Sequence, residues 1–196
     1  MSTAVVPQPP HRPGGGPAPV AVLIGPPGAG CEAVGAALAT RLGVPLRNVD
    51  RDIEARLGRP LAEVFVDLGE TAFRDLEREC ALAALADHAG VLALEGGAVL
   101  DGVVAGALTG GPVAFLEVGI AHAARALGFN DQRPAALGTP RSTWMHLMQG
   151  RRPRYLELAR TVVTVDDRDA AVVADEVAAG LGLTLLPDRT SEGDGS

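Results

Sequence analysis

Aromatic residues make up only 3 % of this 196-residue chain, with one Trp, one Tyr and four Phe. Its core must therefore be built from Ala, Val and Leu. Cysteine is nearly as scarce: Cys31 and Cys80 are too few for a disulfide framework or a four-cysteine metal site. Positive charge is in deficit. The formal net charge of −7 argues against general affinity for nucleic acid or an anionic membrane surface. No apolar run approaches the ~20 residues that cross a bilayer, and Met1–Pro19 lacks the apolar stretch of a secretion signal. The cytoplasm is the expected compartment, and a monomer is expected because no long apolar face is left open.

What is present suits one globular domain. Hydrophobic residues make up 47 % and charged residues 21 %, ordinary values for a folded chain, and the length gives one proper core. Residues 1–19 are crowded with Pro and Gly and cannot bury enough apolar surface to offset their ordering entropy, so they are expected to be a disordered tail. Residues 187–196 read the same way, leaving a domain over 20–186. Short apolar runs at Val20–Ile24, Leu46–Val49, Val91–Leu94, Val113–Leu116 and Val162–Val165 predict strands buried on both faces. Between them the spacing predicts helices over Glu32–Leu42, Ile53–Leu57, Leu61–Leu68, Glu70–Ala86, Ile120–Leu127, Ser142–Ala159 and Ala170–Leu181. Alternation of this kind predicts an α/β fold with a parallel sheet and helices on both faces.

The first strand runs into Gly25-Pro26-Pro27-Gly28-Ala29-Gly30-Cys31-Glu32 and then a helix. A P-loop reads G-x-x-x-x-G-K-[ST] in this strand–loop–helix context, its glycines letting backbone N–H groups curl around a phosphate. Gly25 and Gly30 have the right spacing, with Gly28 and Ala29 between them. Cys31 stands where Lys would reach the phosphates, and Glu32 where a hydroxyl would hold Mg²⁺.

Five further motifs follow in order: Asp50-Arg51-Asp52 after the second strand, Gly69-Glu70-Thr71-Ala72-Phe73-Arg74, Glu95-Gly96-Gly97-Ala98 after the third strand, Arg133-Pro134, and Arg151-Arg152-Pro153-Arg154-Tyr155. The ordered set resembles the shikimate kinases over about residues 20–182. That resemblance implies a P-loop kinase fold with strand order 2-3-1-4-5, transfer of phosphate from ATP with Mg²⁺ to shikimate, and a lid over about 128–140. It further implies that Asp52 contacts the reacting hydroxyl and takes its proton, and that Asp50 lies near the metal. Arg74 and Arg151 would clamp the shikimate carboxylate, for which a planar guanidinium is the apt partner. Gly96 and Gly97 would present backbone to substrate, Arg133 would reach from the lid over the phosphates, and Gly25, Gly28, Ala29, Gly30, Cys31 and Glu32 would form the nucleotide loop.

Each piece has a plainer reading. Asp50 and Asp52 also suit helix caps, Arg74 with Glu77 and Arg78 a solvated helix face, and Arg151, Arg152 and Arg154 a surface cluster. The departures from the family fall on the nucleotide side. Besides Cys31 and Glu32, Glu95 replaces the first of three glycines, and an adenine-stacking arginine aligns with Ala126, leaving Arg125 as its substitute. Glu95 could serve as a relocated metal ligand beside Asp50. Three functions follow from this lopsided pattern: a shikimate kinase of weak or lost activity, a non-catalytic shikimate-binding relative, or a kinase for another small hydroxy-acid such as gluconate.

Overall fold

The structure, a computed structural model, describes residues 18–129 and 140–187. The expected tails and most of the expected lid, Arg133 included, lie outside the described residues. Five strands form one parallel sheet: β1 Ala21–Gly25, β2 Leu46–Asn48, β3 Val91–Glu95, β4 Val113–Glu117 and β5 Thr161–Thr164, in the order β2-β3-β1-β4-β5. This is the expected α/β architecture and strand order. The three central strands are apolar and buried along their length because helices cover both faces.

Among the described residues seven α-helices surround the sheet: α1 Cys31–Leu42, α2 Val49–Leu57, α3 Leu61–Asp87, α4 Gly102–Leu108, α5 Ile120–Ala126, α6 Pro140–Leu158 and α7 Ala170–Leu181. One core layer joins α1 and α7 to the sheet through Leu38, Leu42, Val177 and Leu181. The opposite layer gathers Ile53, Phe73, Ala81, Val104, Phe115 and Tyr155 from α2, α3, α4, β4 and α6. Phe115 and Tyr155 stack with ring centroids 5.0 Å apart, so the scarce aromatics meet in the core.

Two elements differ from expectation, each for a local reason. α2 starts at Val49 rather than Ile53, because the buried Asn48 side chain accepts hydrogen bonds from the N–H of Asp50 (2.8 Å) and Arg51 (3.4 Å). α3 is the two expected helices meeting at a kink, where Gly69 leaves the helical path with φ 74° and ψ 167°. α4 was hidden by its glycines, and its visible signal is the Asp101 side chain capping Val103 and Val104 N–H. Among the described residues no helix is long and apolar enough to cross a membrane.

Candidate active site

The carboxyl ends of β1 and β3 set the site. Their register pairs Gly25 with Glu95, and Gly96 N–H donates to the Gly25 carbonyl at 3.0 Å. The loop after β1 and the turn after β3 are therefore side by side, at the end of a parallel sheet where ligands are bound. Gly30 caps α1 in the left-handed region, φ 72°, which favours glycine and aims the first α1 amides into this space. The loop is braced from behind, since the buried indole of Trp144 donates to the Pro27 carbonyl at 3.1 Å.

The motif residues after β3 and on α3 and α6 come together as expected. Arg74 Nη1 donates to Glu77 Oε2 at 2.7 Å, and Arg74 lies against Gly97 so closely that a Cβ there would sit 2.5 Å from Nη1. Glu77 is only 4 % exposed. Burial raises its pKa, while Arg74 and Arg151 pull it back. Arg151 also lies near the Tyr155 hydroxyl, which donates to the Gly96 carbonyl at 2.5 Å. Burial drives the Tyr155 pKa upward, so it stays a phenol and a donor. Glu77 and Tyr155 were not expected as site residues. The visible signal for Glu77 was its i,i+3 spacing from Arg74. Arg152 pairs with Glu117 and Arg154 with Glu157, so only Arg151 of the three turns to this pocket.

Asp50 and Asp52 part company. Both lie on α2, two residues or ~200° apart, so they cannot face one pocket. Asp52 Oδ2 accepts from Arg47 Nε at 2.6 Å, and Arg47 also pairs with Asp87 at the end of α3. Asp50 instead faces the carboxylates of Glu95, Glu77, Glu54 and Glu32, and burial followed by their repulsion pushes its pKa from 3.8 up to about 7. The expectation that Asp52 meets the substrate hydroxyl while Asp50 stands by a metal is therefore corrected: the helix phase presents Asp50, and Asp52 is held in an ion pair.

The loop side is crowded with negative charge. The Glu95 carboxylate lies near the N–H groups of Cys31 and Glu32 and the Cys31 thiol. Burial raises the Glu95 pKa, an effect these donors oppose. Cys31 is fully buried, and burial followed by Glu95 and Asp50 pushes its thiol up, which leaves it an uncharged filler and weak donor. Glu32 is exposed and gripped by Arg51 through both oxygens, at 3.1 and 3.2 Å. Arg125, the expected adenine platform, pairs with Asp167.

The fold and site define a P-loop small-molecule kinase class. The family model for shikimate kinase matches residues 27–181. A shikimate kinase of Salinispora arenicola is 48 % identical over 162 residues, 83 % of this chain and 97 % of the relative. One from Streptomyces coelicolor is 46 % identical over 151 residues, 77 % and 88 % of the two chains. Among solved structures, shikimate kinase from Acinetobacter baumannii in complex with shikimate superposes with a TM-score of 0.74 at 27 % identity, covering 82 % of this chain and 90 % of that one. The chain belongs to the shikimate kinase family.

That family implies ATP with Mg²⁺, and the loop carries Cys31 and Glu32 where the P-loop pattern has Lys and a hydroxyl residue. The Glu95 carboxylate lies near the amides of both residues. All 17 basic residues other than His are Arg, so no lysine anywhere in the chain can replace the missing one. Among the described residues no group of three or more His, Cys, Asp or Glu could hold a metal ion by itself, but Asp50 and Glu95 are near each other, and Mg²⁺ beside a nucleotide takes only one or two carboxylates.

Proposed function

We propose that this chain binds shikimate, or a ring hydroxy-acid of the same shape, and that its phosphoryl transfer is severely reduced or lost. The observation that carries this reading is Arg74, paired with the buried Glu77 at 2.7 Å and set against Gly97, with Arg151 on α6 near enough to act on the same carboxylate. Guanidinium groups on this side of the site suit a carboxylate ligand. The hydroxyl end of the ligand would face Asp50, whose pKa of about 7 suits an acceptor for a hydroxyl proton at neutral pH. Arg133 would close over the ligand from the lid.

The nucleotide side supports the loss. Removing the loop lysine alone costs on the order of 10²–10⁴ in rate where catalysis rests on electrostatic stabilisation. Glu32 and Glu95 add like charge where a triphosphate would lie, at roughly 1–4 kcal/mol for each close pair. A second reading, a working shikimate kinase, is favoured by the 48 % identity to relatives of that name.

The test is mass-spectrometric detection of shikimate 3-phosphate after incubation with shikimate, ATP and Mg²⁺, with Asp50→Asn as the control for contaminating host kinase. The proposal predicts little or no product from the unaltered chain. It predicts a gain of orders of magnitude in the triple variant Cys31→Lys, Glu32→Ser, Glu95→Gly. Abundant product that disappears with Asp50→Asn would establish the working kinase instead.

A further inference from the structure

Gly96 and Gly97 form the turn after β3, and both backbone polar groups of Gly96 are held. Its N–H donates to the Gly25 carbonyl at 3.0 Å, and its carbonyl accepts from the Tyr155 hydroxyl at 2.5 Å. The Gly97 carbonyl accepts from Leu100 N–H at 2.9 Å, inside the 3₁₀ turn Ala98–Leu100. Of these three anchors only Tyr155 is a side chain. Its ring is fully buried and stacks on Phe115 of β4, with ring planes 17° apart. A phenylalanine would satisfy that packing, so the hydroxyl is the part that packing does not call for, and a buried hydroxyl needs an acceptor. Eleven residues earlier on α6, about three helical turns, Trp144 donates to the Pro27 carbonyl at 3.1 Å. One face of α6 thus holds both the loop after β1 and the turn after β3.

The turn forms a wall for Arg74. A Cβ on Gly97 would lie 2.5 Å from Arg74 Nη1 and 2.8 Å from Cζ, so the Gly97 backbone and the guanidinium are in contact. The same guanidinium donates to Glu77 at 2.7 Å. We propose that Tyr155 is a positioning residue of the acceptor pocket: its hydroxyl pins the Gly96 carbonyl, which keeps Gly97 against Arg74 and fixes where that guanidinium meets a carboxylate ligand. The inference rests on the acceptor-binding reading above for its last part only. Two consecutive glycines turn more freely about φ and ψ than any other pair, and Gly96 stands at φ 75°. Without the hydroxyl the turn keeps its two backbone anchors, so the fold persists. The Gly96–Gly97 peptide is then free to rotate, and Arg74 loses its wall.

Tyr155→Phe removes one oxygen and keeps the ring. At a temperature where circular dichroism shows both proteins fully folded, a change in global stability alone leaves ligand affinity where it was. Calorimetry there should find shikimate bound about five- to tenfold more weakly by the variant, the worth of one hydrogen bond. Replacing Tyr155 with 4-aminophenylalanine, whose amino group also donates, should recover most of that loss. In amide hydrogen exchange, Gly96 and Leu100 should open about fivefold faster in Tyr155→Phe, with Ala93 in the middle of β3 unchanged. Equal shikimate affinity in the unaltered chain and Tyr155→Phe overturns the proposal, and so does a 4-aminophenylalanine protein as weak as Tyr155→Phe. Exchange that quickens equally at Ala93, or at none of the three, overturns it too. Should Tyr155→Phe lose its native circular dichroism, the unaltered chain carries the test. The hydroxyl proton of Tyr155, the chain's one tyrosine, must give a slowly exchanging resonance, and its absence overturns the proposal. Failure of shikimate to bind the unaltered chain counts against the functional reading and leaves hydrogen exchange to judge Tyr155.

Discussion

Asp50 and Asp52 differ by two positions on one helix, and that offset decides what each can touch. Asp50, held at a pKa of about 7 against an ordinary 3.8, is a burden to the fold at neutral pH. A folded-state value above the unfolded one gives stability that is present below pH ~4 and lost as pH rises through ~7. Asp50→Asn should therefore be more stable than the unaltered chain at pH 8, by on the order of 2–4 kcal/mol, with the advantage gone near pH 4. Urea denaturation at the two pH values reads this directly. The same variant should lose shikimate binding, whereas Asp52→Asn, which only loosens the pair with Arg47, should keep it. Gly97 makes a second single-residue case. A methyl group there would sit 2.5 Å from Arg74 Nη1, so Gly97→Ala must turn the guanidinium aside. It should weaken shikimate binding by about tenfold or more, the worth of one charge-assisted hydrogen bond, while the melting temperature changes little.

The phase of α2 comes from its cap rather than from its own residues. Asn48 ends β2 and accepts the first free amides of the helix, which starts the spiral at Val49 and turns Asp50 inward. Asn48→Ala should cost about 0.5–2 kcal/mol in chemical denaturation, with a parallel loss of shikimate affinity as Asp50 loses its fixed direction. The strands, the alternation and most helices were legible in the sequence, because apolar runs bounded by Gly and Pro announce buried strands. Arg74, Gly96, Gly97 and Arg151 were legible as well, since each stands in a motif with a fixed local geometry. The orientation of the Asp pair was not, because reading it required the helix start, and Asn48 gave that only through a side-chain hydrogen bond. Glu77 was hidden by its i,i+3 partner Arg74, since the same spacing describes a solvated surface pair. The buried Glu77 and the half-buried Arg78, which pairs with Asp75 and Asp101, differ only in which side of α3 meets the sheet.

Taken whole, the molecule has two unlike halves at one end of its sheet. On the proposed reading Arg74, Arg151, Tyr155 and Gly97 form the half that takes a carboxylate, with Asp50 at its far side. Cys31, Glu32 and Glu95 stand around the loop after β1 and give the other half its acidic character. The scaffold between them is intact: the strand order, the two apolar layers and the left-handed glycines of the loop all persist. The proposed binding without transfer needs the acceptor half alone. The most direct test is calorimetric titration of the full chain with shikimate, in the absence and in the presence of ATP and Mg²⁺. The account predicts saturable shikimate binding with the same affinity in both, and no heat from ATP alone. Tight ATP binding, or shikimate binding that appears only with nucleotide, would contradict it.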